Sequence, residues 1–530
     1  MLKLSDEIKL EILRLRSEGF SGTHIGESLG IGKSTVNDFL SMSSHKDFWE
    51  KYSDKPVATG TKYDHWSTLQ KREGNRFIVM GAQNNTYVHK EFLQSLEVAS
   101  EYYNAEIIAG SWTYNTTGFQ NLEKDSEGVW YDPLIRGYIV EEPVMLADDL
   151  VFAAELNILP TAVNPLSGLH SYSKGYSAIV PHAKVQMESL PTHKSKPARS
   201  LFTTGSVTKR NYIAKKSGQK ASFHHVFGAL LVEVSDDGNW FVRQLIAETS
   251  TGHFYDLDKK FTPEGVTDGH RAEAITYGDI HSEKMDWDAC IASFGRTGNS
   301  MVDVLRPKYQ FVHDVMDFTT RNHHNRNDPY FRWETNHHLV QQDINEVCST
   351  LKMMDRGDTQ TVVVESNHDL ALKRWLKEAD YKNDNIHNAI TYLELQKRLL
   401  EAIRERDEDF NIFEWKVKET EPSLSECRFL KTDESFMICG KDGIENGCHG
   451  HNGANGSRGG VGVFQKMGTR YTVGHSHTPA IKDGVYVVGV LGELDMGYNI
   501  GGSSWQHANC VTYQNGKRSL YFIKNGKWRI

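Results

Sequence analysis

The sequence predicts an α/β fold, α+β in its details, and three observations carry that prediction. Residues 76–112 read as a βαβ unit: RFIVMGA ends in polar Gln83-Asn84-Asn85, HKEFLQSLEVASEYYN has helical spacing, and AEIIAGSW is apolar again. Val362, Val363 and Val364 read as a strand buried on both faces, followed by Asn367-His368-Asp369 and a helix from Leu370. That triplet falls at the C-terminal mouth of a strand, where open α/β sheets place their chemistry, although taken alone it is more simply a helix cap. Third, from residue 271 onward several strands end in Asp or His, and the 24 histidines concentrate in the second half. That skew directs attention to metal.

Taken in order, residues 1–43 read as three short helices. SDEIKLEILRLRSEG sets Ile8, Ile12, Leu13 and Leu15 at helical spacing, with Asp6 and Glu7 in the first turn. A second helix, a turn at Gly30-Ile31-Gly32 and a third helix from Lys33 or Ser34 follow. The unit resembles a resolvase-type helix-turn-helix, whose last helix would present Lys33, Ser34, Thr35 and Asn37 to a DNA groove. Tri-helical units also serve protein contacts. Residues 44–75, polar with Pro and Gly, read as a linker. Residues 76–270 form an α/β middle domain with further strands near YIVEEPVML, SAIVPHAKVQM, HHVFGALLVEVS and WFVRQLIAE. Its polar strand ends, Gln83-Asn84-Asn85 and Ser111, are explained by turns as well as by binding. No internal repeat is visible in the letters.

Composition narrows the function classes. With 60 Lys and Arg against 69 Asp and Glu the formal net charge is −9, so a nucleic-acid contact has to come from local patches. No apolar run approaches the roughly 20 residues needed to cross a bilayer, and the charged start lacks a signal-peptide core. Six cysteines without a CxxC pair fit a reduced cytoplasmic protein and argue against a zinc finger.

The residues that carry chemistry come in order. AEAITYGDIHSE ends a strand in Asp279 and His281, PKYQFVHDVMDF ends one in Asp314 with Asp317 three residues on, and VVVESNHD supplies Asn367, His368 and Asp369. ENGCHGHNGANGSRGG then offers His449 and His451, and TRYTVGHSHTP ends in His475 and His477. Each pair is weak alone. Together, D-x-H, D-x-x-D, N-H-D, H and G-H-x-H resemble the calcineurin-like metallophosphoesterase superfamily over roughly residues 271–500, within a domain bounded at 271–530. Two positions depart from its pattern, His313 and Ser366, where glycine is usual.

The resemblance implies a four-layer β-sandwich flanked by helices, with a helical insertion near 370–425, preceded by the α/β domain and the helix-turn-helix. It also implies two divalent ions, Mn²⁺ first and Mg²⁺, Fe or Zn²⁺ as alternatives. One is held by Asp279, His281, Asp314 and His477, the other by Asp314, Asn367, His449 and His475. His368 is then the catalytic histidine and Asp369 its orienting carboxylate. Arg321, His323, His324, Arg326, His451 and Arg458 are candidate phosphate or DNA contacts, with polar solvated loops an equal explanation.

The ligand set also matches the dinuclear site of the superfamily's repair-type exonucleases. The whole arrangement is similar to metallophosphoesterases of large bacteriophages, more narrowly to the pre-early, DNA-degrading first-step-transfer proteins of T-five-type phages. The resulting expectation is a manganese-dependent DNA nuclease that degrades host DNA in the bacterial cytoplasm, free of membranes and homo-oligomeric. The alternatives are a phosphodiesterase or phosphatase acting on small phosphoesters, and a non-catalytic DNA-binding or assembly protein.

Overall fold

The computed structural model describes residues 4–17, 20–41, 66–114, 130–321, 325, 328–335, 337–440 and 443–530. The chain forms two compact units, Met1–Thr68 and Leu69–Ile530.

In the first unit α1 (Asp6–Ser17), α2 (Gly22–Leu29) and α3 (Lys33–Ser41) enclose a core of Ile12, Leu13, Leu15, Ile25, Val36 and Phe39. Ser21 caps α2 by accepting the His24 N–H, and Gly30 ends it at φ 65°, a left-handed conformation in which glycine is not strained. The three predicted helices are thus present. On α3, Lys33, Ser34 and Asn37 are exposed, while Thr35 is half-buried. Of the predicted linker, residues 44–65 lie outside the described residues.

The second unit is mixed α/β. Its first half carries β1 (Arg76–Gln83), β2 (Glu106–Trp112), β3 (Val144–Ala147), β4 (Leu150–Phe152), β5 (Ser177–Val180), β6 (Met187–Leu190), β7 (Arg199–Thr203), β8 (Gly228–Val234) and β9 (Trp240–Ile246). A small sheet of β10 (Phe254–Asp256), β11 (Lys259–Thr262) and β12 (Gly265–Thr267) follows. The second half carries β13 (Ala274–Thr276), β14 (Tyr309–Val312), β15 (Gln360–Val363), β16 (Arg428–Phe429), β17 (Met437–Ile438) and β18 (Ile444–Glu445). It ends with β19 (Arg470–Val473), β20 (Ala480–Lys482), β21 (Val485–Val487), β22 (Ala508–Thr512) and β23 (Arg518–Phe522).

These strands form a four-stranded sheet β2-β1-β8-β9, a six-stranded sheet β16-β15-β14-β13-β22-β23 and a ten-stranded sheet β17-β18-β19-β21-β20-β6-β7-β5-β4-β3. The ten-stranded sheet shares apolar cores with both others: Ile438 and Ile444 with Ala274, Phe311 and Val362, and Ile179, Met187 and Phe202 with Phe77, Val79 and Val232. Helix α4 (Lys90–Tyr103) joins β1 to β2 and packs on the four-stranded sheet through Phe92, Leu93, Leu96 and Ala99. Helix α5 (Lys216–His224) precedes β8. A larger apolar cluster unites the six-stranded sheet with α6 (Trp287–Phe294), α7 (Val340–Met354), α8 (Leu370–Glu378), α9 (Ile386–Glu405) and α10 (Ile412–Thr420).

Two sequence expectations are corrected here. Residues 76–270 and 271–530 are not separate bodies, because β6 of the one pairs antiparallel with β20 of the other and completes a single sheet. There is also a repeat, one of topology. The order β2-β1-β8-β9 recurs as β14-β13-β22-β23 with the same parallel and antiparallel senses. The order β3-β4-β5-β7-β6 recurs as β17-β18-β19-β21-β20, again with every sense retained. Sheet pairing demands apolar residues at alternating depths and not particular letters, so such a repeat leaves no sequence period.

Candidate metal centre

The mouths of β13, β14, β15 and β19 converge. Gly278 and Gly474 allow it: a Cβ on Gly278 would stand 2.8 Å from Val490 N, and one on Gly474 2.2 Å from Asp279 Oδ1. Four residues at these mouths adopt the left-handed region, His281 at φ 51°, Asp314 at 41°, His475 at 71° and His477 at 56°. Backbone strain of this kind, roughly 1–2 kcal/mol per residue, persists where the surroundings over-determine it, and it clusters at functional sites.

Asp279, His281, Asp314 and His477 are buried, and one donor atom from each lies within 4.8 Å of all the others. These are the four that the resemblance to metallophosphoesterases assigns to one ion. His477 Nε2 is 3.1 Å from Asp279 Oδ2 and 3.2 Å from His281 Nε2, and His281 Nε2 is 3.8 Å from Asp314 Oδ2. Two imidazole nitrogens that face each other at this distance among carboxylates form a pocket suited to a cation.

The second assigned set is adjacent. His449 Nε2 is 3.3 Å from Asp314 Oδ2, the His475 ring is 5.2 Å from the His449 ring, and the His475 N–H donates to Asp279 Oδ2 at 2.8 Å. The buried atoms Asp279 Oδ1, Asn367 Oδ1 and His477 Nδ1 have no hydrogen-bond partner in the protein. Orphaned donors of carboxylate, amide and imidazole type fit a hard or borderline divalent ion. Burial disfavours the charge on His449, but Asp314 and Asp279 hold its imidazole up at about 9. Burial and the charge of His449 push His475 down to about 4.

Three residues have roles that sequence reasoning missed. His313, taken as a departure in turn geometry, is buried with its Nδ1 3.3 Å from His449 Nδ1, and Asp279, His313 and His449 form a second group able to hold an ion. A third such group is His281, Asp317 and His368. Asp317 Oδ1 lies 3.0 Å from His281 Nδ1 and 3.4 Å from His368 Nδ1, and its backbone oxygen accepts from His368 Nδ1 at 2.9 Å. Thr319 Oγ1 donates to its other oxygen. Glu283 holds this loop in turn by accepting the N–H groups of Asp317 at 2.6 Å and Phe318 at 2.8 Å. The D-x-x-D spacing was the available signal for Asp317; nothing in the sequence marked Glu283.

The orienting role expected of Asp369 therefore belongs to Asp317. Asp369 instead accepts the Met316 N–H at 3.1 Å and the Ser366 hydroxyl at 2.8 Å, tying the mouths of β14 and β15 together, and makes no side-chain cap on α8. Burial and the charge of Asp314 raise its carboxyl to about 7. Ser366, in place of the usual glycine, gains bonds here, since its hydroxyl also accepts the Asp369 N–H at 3.1 Å.

Of the expected phosphate contacts, Arg321 is engaged elsewhere: its Nη2 donates to Asp384 Oδ2 at 2.8 Å and Oδ1 at 2.9 Å, its Nε donates to Oδ2 at 3.2 Å, and its guanidinium lies over the Trp375 ring. His323, His324 and Arg326 lie outside the described residues. His451 is half-buried with its ring 5.4 Å from His449 and its Nε2 facing Asn452 Nδ2 at 3.0 Å. Arg458 is exposed on the loop that returns to it, where Gly459 N donates to His451 O at 3.1 Å.

A comparison with known proteins finds 43% identity over 490 residues to a protein of Escherichia phage T5 named Protein A1, covering 90% of this chain and 87% of that one. No protein-family model and no solved structure matches.

Proposed function

The chain belongs to the family of the phage T5 Protein A1, and from that premise we propose that its histidine–aspartate centre makes it a divalent-metal-dependent DNA nuclease of metallophosphoesterase type. The observation that carries the proposal is the convergence of Asp279, His281, Asp314 and His477 beside a histidine, His368, that no ion of that set needs.

In this reading Asp279, His281, Asp314 and His477 hold one ion, and Asp314, Asn367, His449 and His475 hold a second, Mn²⁺ before Mg²⁺, Fe or Zn²⁺. Bound ions supply Lewis acidity toward the phosphate and toward water at neutral pH. The protein's own residues do the rest. Asp314 Oδ2 faces both sets, 3.8 Å from His281 Nε2 and 3.3 Å from His449 Nε2, while its Oδ1 accepts the His368 N–H at 3.4 Å. Asp317 fixes the His368 ring through Nδ1, and in its imidazolium form His368 would give its Nε2 proton to the departing oxygen as general acid. The exposed Lys33, Ser34 and Asn37, with Thr35, supply a DNA face on α3, and Arg458 and His451 border the centre. No described helix is long and apolar enough to cross a membrane; the site of action in this reading is the cytoplasm of the infected host.

The test is purified protein with Mn²⁺, Mg²⁺ or chelator, offered linear and circular DNA, RNA and a small chromogenic phosphodiester. Metal-dependent cleavage of DNA is expected. Cleavage of the small ester alone would sink the nuclease reading, and metal binding without any cleavage would make the protein a DNA-binding or assembly factor.

A further inference from the structure

The first half of the large unit repeats the plan of the second without its chemistry, and the corresponding mouth is basic. By register, Val180 of β5 lies opposite Thr203, and Val473 of β19 opposite Val487. His182 and Lys184 therefore stand where His475 and His477 stand. The same alignment matches Gly205 with Gly489, and both meet the glycine near the end of their half's first strand. A Cβ on Gly81 would lie 2.7 Å from Gly205 O, and one on Gly278 2.9 Å from the Gly489 carbonyl carbon. The ends of β13 and β14 correspond to those at Gln83-Asn84 and Ser111, and β15 has no counterpart in the four-stranded sheet.

In contrast to the metal centre, these groups are satisfied. Trp112 Nε1 donates to Gln83 Oε1 at 3.3 Å, Tyr114 N to Asn84 Oδ1 at 2.6 Å and Lys184 Nζ to Val163 O at 2.9 Å, and His182 Nε2 meets Leu159 O at 3.2 Å. Among the described residues no group able to hold an ion occurs here. The segment that takes the last two bonds is also one wall of a cavity of about 390 Å³, lined by Thr161, Val163, Lys215, Lys216, Ser217 and Lys220. No acid lines it. The three lysines are exposed, and Lys184, 3.6 Å from Asp483, adds a buried ammonium behind the wall.

We propose that this lysine-lined mouth binds the phosphodiester backbone of DNA without cleaving it and anchors the substrate of the catalytic half. The proposal rests on the nuclease reading above. Three ammonium groups and two hydroxyls around a concave site fit phosphate oxygens and carry no base preference. The chain's net charge of −9 makes such a local patch decisive, because the surface as a whole repels DNA. Pairing senses traced across the ten-stranded sheet set β5 antiparallel to β19, so the anchoring mouth and the catalytic mouth open at opposite edges. The anchored stretch is therefore a different stretch of DNA from the one being cut.

The experiment is fluorescence anisotropy of a short labelled duplex with the full chain in chelator, across a salt series, comparing wild type with the triple variant Lys215→Glu, Lys216→Glu, Lys220→Glu and with the corresponding triple Lys→Arg variant. The Glu variant should bind at least about tenfold more weakly, and its log affinity against log salt should flatten by about 2–3, one unit per lost phosphate contact. The Arg variant should bind as wild type does. Unchanged affinity and slope in the Glu variant, or a wild type that does not bind duplex, would overturn the anchor. Failure of the nuclease reading looks different: the lysine-dependent binding stands, but added Mn²⁺ leaves the DNA intact.

Discussion

Asp317→Asn separates metal holding from proton delivery. The Asp317 carboxylate is buried, 3.0 Å from His281 Nδ1 and 3.4 Å from His368 Nδ1, so one side chain orients both a metal-ligand candidate and the proposed acid. A hydrogen bond to a charged group contributes about 1.5–3 kcal/mol, and about 1.4 kcal/mol is a factor of ten. The His281 contact should therefore account for a ten- to hundredfold change in metal affinity, the range expected for partners behind a metal ligand. Loss of the His368 contact adds a fall in turnover that excess metal does not repair. The assay is Mn²⁺ titration by calorimetry, with DNA cleavage measured at saturating Mn²⁺. Wild-type values in both measurements would refute the reasoning, and full rescue of turnover by excess Mn²⁺ would refute its His368 half.

His368→Ala should keep its metal and lose about two to four orders of magnitude in turnover; loss of metal instead would make His368 a ligand through its group with His281 and Asp317. Asp343 on α7 is buried, and burial pushes its carboxyl up to about 8. The native state thus holds a proton between about pH 4 and 8 that the unfolded chain gives up, so stability falls as pH rises through that window. Asp343→Asn should flatten that loss and exceed wild type by a few kcal/mol at pH 8, at about 1.4 kcal/mol per pH unit; parallel urea curves in chelator at pH 5 and 8 would contradict this. On α9, Ile386, Ile390, Leu393 and Leu400 share one exposed face with Lys397 and Arg404. Two copies should pair through this face, and Leu393→Glu should lower the sedimentation coefficient of concentrated protein, an unchanged value counting against the pairing.

Much of the centre was legible because Asp, His and Asn are common metal ligands and strand ends announce themselves by the apolar run before them. The order of these motifs, through the resemblance to metallophosphoesterases, is what groups Asp279, His281, Asp314 and His477. What lay behind them was not legible. Glu283 works through its acceptance of two backbone N–H groups, a role that many residues fill elsewhere, and the grip of Arg321 on Asp384 joins positions 63 residues apart. The change of role between Asp369 and Asp317 has the same origin, since adjacency in sequence suggested Asp369 and only the turn between β15 and α8 points it away from the His368 ring. The topological repeat was invisible because its first half keeps strands and glycines and has replaced the chemistry.

Strain distinguishes the two halves as sharply as the ligands do. In the second half His281, Asp314, His475 and His477 all stand in the left-handed region; in the first, Asn85 at φ 54° does, but Ser111, His182 and Lys184 do not. A backbone held at a cost of roughly 1–2 kcal/mol per residue needs neighbours that fix it. In the second half those are Gly474, which admits Asp279, and the His475 N–H bond to that carboxylate. In the first half, β5 is followed by Pro181 instead of a glycine, and the imidazole and ammonium that follow turn to carbonyl oxygens of residues 159 and 163. The relaxed turn and the absence of ligands go together there. A mouth with no ion to position is under no such constraint, and lysines can line it, with charge that attracts DNA where the other mouth has charge that would hold metal.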